Sequence, residues 1–452
     1  MVHQHGDHHD IPAHYLRRKP GGWLPADHRI HHEYVRRQTE HVKTHPKEPL
    51  TPALEAFKEL IENNTRVYMY FRQMFEEIPK QQIYQMDVTG SAPAIRDYET
   101  LLQVLNRIVG KAPEWTDAEE AVGVVGVPMC ALFDYPMGTP SGYAAFLDPD
   151  VNKALRRVLN EWGKFLQTPA SAEVLKAGPG GWFGQTGLSD LMEVANKPLG
   201  TSHKFEDMYQ CDPTAKHYGF KSWDDFFTRQ LQPDARPVAS PEDDSVVANA
   251  CESKVFNISY KAQLRDRFYA KGQPYSLLDM LAHDPLTEQF ADATVYQAFL
   301  NALSYHRWHA PVSGTIKRAF VQEGTYFSEP LFEGVGAPGN DKIDKRGIGL
   351  AQGYLSSMAT RAVIFIEADN KDIGLMAGVF IGMDEVSTCD ITVKEGQHIK
   401  KGDELGMFHF GGSSHCLVFR SGVELEDFPN LGREENVPVR GKLAVAKAKA
   451  KA

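Results

Sequence analysis

The chain has 452 residues, 42% apolar and 24% charged, the balance of an ordinary globular protein with room for two or three domains. Its net charge of −10, from 49 Lys+Arg against 59 Asp+Glu, argues against nucleic acid or an anionic bilayer as the main partner, because both reward a basic surface. No apolar run approaches the roughly 20 residues of a membrane-spanning helix, and Cys130, Cys211, Cys251, Cys389 and Cys416 show no CxxC spacing, so a cytoplasmic protein without disulfide framework or zinc site is expected.

Residues 1–48 hold ten of the eighteen histidines and read as a flexible extension. His3, His5, His8 and His9 could bind a transition metal adventitiously, and His31, His32 and their neighbours lack a ligand spacing tied to a fold, so no specific metal site is expected there. Residues 49–200 turn helical. LEAFKELIENNTRVYMYFRQMFEEI, YETLLQVLNRIVGKA and DVNKALRRVLNEWGKFLQT each repeat apolar residues three and four apart, as an amphipathic helix requires. Residues 201–244 form a bridge whose aromatic start looks helical and whose Pro-rich end, QPDARPVASPEDD, marks a boundary. From 245 to 440 short apolar runs such as GTIKRAFV, RAVIFIEA and LMAGVFIGM, separated by Gly, Asp and Pro, predict strands; TVYQAFLNAL is ambiguous. Residues 441–452 are a basic, Ala-rich tail. The expected fold class is α+β, a helical N-terminal accessory domain followed by a β-rich catalytic domain.

Two constellations carry chemistry. FHFGGSSH places Ser413 directly after Gly411 and Gly412, between the strand-like runs GMFHF and CLVFR. Glycine opens backbone conformations closed to other residues, so Ser413 can attack its own preceding carbonyl and split the chain through an ester. GGSS by itself reads as an ordinary turn between strands. YHRWHAP carries His306 and His309, three apart; with Pro311 following, a strand is expected, on which the two rings point to different environments. An ordinary histidine titrates near pH 6.5 and suits acid and base duties.

SWDDFFTRQLQPDARPV, YAKGQPYSLLDML, YHRWHAPVSGTI and FGGSS, in this order over residues 200 to 440, resemble the phosphatidylserine decarboxylase superfamily. IEADNKDIGLMAGVFIGMDEVSTC and GMFHFGGSS, with the long helical N-terminal region, are similar to the fungal L-tryptophan decarboxylases of the psilocybin-pathway type. The resemblance implies a zymogen that cleaves itself between Gly412 and Ser413 into chains 1–412 and 413–452, leaving a covalent pyruvoyl cofactor derived from Ser413. It implies His309 as the base for cleavage and His306 as the acid/base of turnover. The substrate would be a free aromatic amino acid, L-tryptophan giving tryptamine and CO2 through a Schiff base; related enzymes often form homodimers. Where the family keeps an aspartate, VVANACESKVF has Cys251 with Glu252 beside it, so either Glu252 supplies the carboxylate or another group, such as a backbone carbonyl, orients His309.

Weaker candidates are His409 and His415, which bracket Ser413, and Glu367, Asp369 and Lys371 in IEADNKD. Rival functions come from other classes. TVKEGQHIKKGDELG resembles the hairpin of a lipoyl- or biotinyl-type binding module, without its MKM-like tripeptide. A phospholipid decarboxylase would need a basic or amphipathic docking element, which is not evident. A pyridoxal enzyme would need a Schiff-base lysine, for which Lys271 is a poor candidate because KGQPYS reads as a turn.

Overall fold

A computed structural model describes residues 28–78, 95–116, 127–265, 275–330, 347–385, 388–411 and 413–448. Most of the histidine-rich segment, Lys271, Gly412 and the end of the basic tail lie outside these residues.

Helices occupy the first half: α1 (His28–Thr44), α2 (Pro52–Asn63), α3 (Thr65–Glu76), α4 (Tyr98–Val109), α5 (Cys130–Met137), α6 (Pro140–Leu147), α7 (Pro149–Leu166) and α8 (Gln185–Asn196). The short α9 (Phe205–Met208) and α10 (Trp223–Phe227) follow. The first amphipathic stretch is broken at Asn64, whose side chain accepts the Arg66 and Val67 N–H groups and so caps α3. Residues 28–44, expected within the extension, form a packed helix. Tyr34, Val35 and Thr39 are buried on one face of α1, and His32 Nε2 lies 2.7 Å from the Tyr135 hydroxyl on α5. The density of histidine hides that apolar stripe in the sequence.

Strands dominate from residue 246: β1 (Val246–Ala248), β2 (Lys254–Ala262), β3 (Ala293–Leu300), β4 (Arg307–His309), β5 (Gly314–Gln322), β6 (Arg361–Ala368), β7 (Leu375–Gly382), β8 (Thr388–Ile391), β9 (His398–Ile399), β10 (Glu404–His409), β11 (Ser413–Phe419), β12 (Leu425–Glu426) and β13 (Lys442–Ala446). Two further helices, α11 (Leu277–Met280) and α12 (Gly347–Met358), lie among them. The main sheet is antiparallel, in the order β2-β3-β11-β7-β6-β5-β9; smaller sheets run β4-β10-β8 and β1-β13-β12. The fold is α+β.

Strand β11 sits inside the main sheet, paired with β3 and β7 over all seven residues. Both its faces are covered. Cys416 and Val418 join a core that runs on through Phe71, Leu105 and Trp162 of the helices. Leu417 and Phe419 join a second core with Trp308, Phe380 and Phe408, under the small sheets. Burial on two sides explains why β6 and β7 read as unbroken apolar runs rather than alternating ones. It also resolves TVYQAFLNAL as the strand β3.

Candidate active site

Ser413 opens β11, opposite Leu300 of β3 and Gly382 of β7. Just before it the backbone turns left-handed, at Phe410 (φ 60°) and Gly411 (φ 88°). The second is natural for glycine; the first is a strained position for an aromatic residue. Packing holds it there. The Phe410 ring is buried between Trp162 of α7 and Trp223 of α10, with centroids 5.7 and 6.3 Å away. A Cβ on Gly163 would stand 2.9 Å from that ring, so the helix must be bare at this point. The Ser413 hydroxyl is fully buried and has no hydrogen-bond partner among the described residues. Leaving such a group unpaired costs about 1–3 kcal/mol, so strain at Phe410 and desolvation at Ser413 fall within one short segment.

The two histidines of YHRWHAP occupy different surroundings, as expected for a strand. His306, immediately before β4, is fully buried and stacks on Phe227 of α10 at 4.1 Å. Neither of its ring nitrogens has a partner of normal geometry among the described residues. Burial, reinforced by the Arg229 charge, pushes it down to about 3, although the backbone of Asn301 and Ser304 pulls the other way. His309, also buried, places Nδ1 2.8 Å from the Gly402 carbonyl and Nε2 3.0 Å from the Tyr305 hydroxyl. A carbonyl only accepts, so Nδ1 carries the proton and donates it to Gly402. Nε2 is then an acceptor for Tyr305. Arg440 Nε, 3.2 Å from a nitrogen that already bears a proton, acts there as a charge rather than a donor. Burial, then Arg440, holds His309 down at about 3.

The remaining motifs frame these groups. Arg229 of FFTRQL donates to the carbonyls of Leu303 (2.8 Å) and Ser304 (3.1 Å) and so fixes the loop that carries His306. Arg236 of PDARP grips Glu252 with two bonds, 3.0 and 2.8 Å, and Glu252 also accepts the Val439 N–H at 2.9 Å. Glu252 is buried and makes no described bond to His309, whose orienting partner is the Gly402 carbonyl. Cys251 is fully buried. Tyr275 of the KGQPYSL segment donates to Gln297 (2.6 Å), whose amide nitrogen faces Gln352 (3.0 Å) and Ser414 (3.5 Å). Between His306, His309 and Ser413 no described hydrogen bond exists.

Of the histidines bracketing Ser413, His409 Nδ1 meets Asp224 of α10 at 2.8 Å, whereas His415 is buried without a partner among the described residues and pushed down to about 3 by burial. Glu367 pairs with Leu375, at the end of β7 opposite the Gly382 that pairs with Ser413, so the IEADNKD turn lies remote from the serine. Asp369 there binds His398 at 2.8 Å. A buried acidic group that sequence patterns did not reveal flanks the serine's own end. Asp384 and Glu385 follow Gly382, and Asp134 of α5 and Glu329 add further buried carboxyls. Burial raises Asp384 to about 7; Glu385 rises through burial and the Asp384 charge, Glu329 through burial and Asp134.

Two phosphatidylserine decarboxylase family models match the chain, one over residues 51–191 and one over residues 223–443. The chain belongs to the phosphatidylserine decarboxylase family and is a decarboxylase, a carboxy-lyase. It is 36% identical to an L-tryptophan decarboxylase of Psilocybe cubensis over 90% of this chain and 89% of that protein. The corresponding figures for the L-tryptophan decarboxylase of Psilocybe cyanescens are 37%, 91% and 91%. The decarboxylase iboD of Amanita muscaria is 43% identical over 70% of this chain and 91% of its own length. Among the described residues no helix is long and apolar enough to cross a membrane.

Proposed function

We propose that the chain cleaves itself before Ser413 and, so processed, decarboxylates a free aromatic L-amino acid, with L-tryptophan, giving tryptamine and CO2, as the first candidate. The observation that carries the reading is a buried, unpartnered serine hydroxyl placed directly after a strained left-handed turn. The substrate assignment rests on similarity over nine-tenths of the chain to proteins named L-tryptophan decarboxylase.

In the cleavage we assign His309, neutral and oriented by Gly402, as the base that acts through Nε2. Tyr305 holds that nitrogen until Ser413 reaches it. The Ser413 oxygen attacks the carbonyl carbon of residue 412; the C–O bond forms, the C–N bond breaks, and the hydroxyl proton passes to the freed nitrogen. Removal of the α-proton of residue 413 then breaks its Cβ–O bond, releases a carboxylate on residue 412 and leaves a dehydroalanine. Water hydrolyses the derived imine, and ammonia leaves. Ser413 fits the pyruvoyl group this produces, since its side chain is fully buried at the start of a strand covered on both sheet faces. Once formed, that group supplies the carbonyl that takes the substrate amine and the electron sink for loss of carboxylate. His306, neutral and stacked on Phe227, is our candidate for moving the proton at the substrate α-carbon.

The fragment beginning at Ser413 would stay bound, because its strands β11 and β13 pair with β3, β7 and β1. The free thiols of the five cysteines support a cytoplasmic setting. The test is a Ser413→Ala chain, expected to remain uncleaved and inactive, beside a CO2-release assay over the aromatic amino acids with phosphatidylserine included. Release from phosphatidylserine alone would overturn the substrate assignment. His309→Ala should impair cleavage, and His306→Ala should cleave but turn over poorly.

A further inference from the structure

The helix α10 reaches the cleavage segment at three points. Trp223 packs on Phe410, Phe227 stacks on His306, and between them Asp224 Oδ1 sits 2.8 Å from His409 Nδ1. His409 ends β10, so this bond fastens the last ordered strand position before the left-handed pair Phe410 and Gly411. Both side chains are close to nine-tenths buried, at 13% and 11% exposure. We propose that Asp224 and His409 form a clamp that holds the strand end in the strained geometry from which Ser413 attacks, making both of them positioning residues for self-cleavage. The inference rests on the self-cleavage reading above.

The physical case is one of leverage. A left-handed Phe410 relaxes toward an extended backbone unless both its ends are fixed. Downstream, β11 is fixed by two neighbouring strands. Upstream, β10 has β4 and β8 beside it, but on the β4 side the last backbone bond is from Phe408 N–H to the His306 carbonyl at 3.0 Å, and at His409 only Thr388 remains opposite. The Asp224 bond supplies the missing restraint on that side. A charged hydrogen bond in a nearly dry place is the stronger kind. Burial alone would lower His409; the bond to Asp224, with Asp224 and Asp390 charge behind it, raises it instead, which favours the charged partner the clamp needs. Asp390 lies 3.8 Å from the other ring nitrogen and is half-exposed. Arg307, on β4, is turned to the Thr228 carbonyl and Glu404 and does not compete for Asp224. Asp224 touches no reacting atom, so its effect must run through geometry.

The experiment follows cleavage of the full chain by denaturing gel after cell-free synthesis, for the unaltered chain, Asp224→Asn, Asp224→Glu, His409→Gln and the Asp224→Asn/His409→Gln double variant. Loss of a charged hydrogen bond predicts cleavage slower by about 10- to 100-fold in each single Asn or Gln variant. The double variant should be no slower than the singles, and Asp224→Glu should recover most of the rate. Urea midpoints measured in the uncleavable Ser413→Ala background should stay close together. Hydroxylamine, which cuts esters, should not speed the slow variants, because the clamp acts before the ester forms. Cleavage at the unaltered rate in Asp224→Asn, additive losses in the double variant, a slow variant that hydroxylamine rescues, or a fall in urea midpoint that tracks the slowing would each overturn the clamp. Failure of the unaltered chain to cleave would sink the self-cleavage reading instead.

Discussion

Gly402 shows how a single backbone atom sets a side chain's chemistry. Its φ of 89° suits glycine, and an added Cβ would stand 2.4 Å from Val238. Its carbonyl accepts the hydrogen bond from His309 Nδ1–H, which leaves the lone pair on Nε2, where Tyr305 donates, as the basic position. Gly402→Ala should therefore displace the carbonyl and slow cleavage by roughly tenfold, the effect of about 1.4 kcal/mol, read as the half-time of chain scission. Phe227→Leu should do the reverse: it removes the stack on His306 while leaving His309 untouched, so the chain should cleave normally and kcat should fall. Ser413, His306 and His309 were singled out as candidates in the sequence because each sits in a compact local motif that resembles the family's. Gly402 and Asp224 were not, since their partners lie 93 and 185 residues away and no local pattern announces them. The turn containing Gly402 belongs to the KEGQHIKKGDELG hairpin, which looked like part of a carrier module; here it supplies the carbonyl that orients His309.

Among the elements, periodicity located the long helices and missed their ends. α2 and α3 read as one run until Asn64 breaks it by capping the second helix with its own side chain. Asn64→Ala should lower the free energy of unfolding by about 1 kcal/mol, seen as a lower urea midpoint in the Ser413→Ala background, with no change in cleavage rate of the parent chain. The strands were legible from apolar runs bounded by Gly, Asp and Pro. Within that β-rich stretch α12 was not, because GIGLAQGYLSSM is small and apolar all round and presents no stripe. The YHRWHAP segment behaved as Pro311 required: His309 lies on a strand with His306 just ahead of it, each in its own environment.

Across the whole molecule the helices and the sheet share a continuous core, which the change of sequence texture near residue 245 conceals. Its buried ionisable groups make stability depend on pH in two opposite ways. His306, His309 and His415 are held at about 3, below the ordinary value near 6.5, so the unfolded chain binds protons first and their contribution is lost as pH falls from 6.5 toward 3. Asp384, raised by burial to about 7 from an ordinary value near 3.9, contributes stability that is complete below about pH 4 and is lost as pH rises through 7. Asp384→Asn, neutral at every pH, should therefore raise the Tm of the Ser413→Ala chain more at pH 8 than at pH 5. An equal change at both would show that Asp384 ionises normally in the fold.

Self-cleavage at residue 413 is the claim on which the rest depends, and intact mass measurement under denaturing conditions addresses it most directly. The expected result is two chains, the smaller beginning at residue 413 with a blocked terminus and lighter by one ammonia than the same peptide beginning with serine. A single intact chain that still releases CO2 from an amino acid would contradict it.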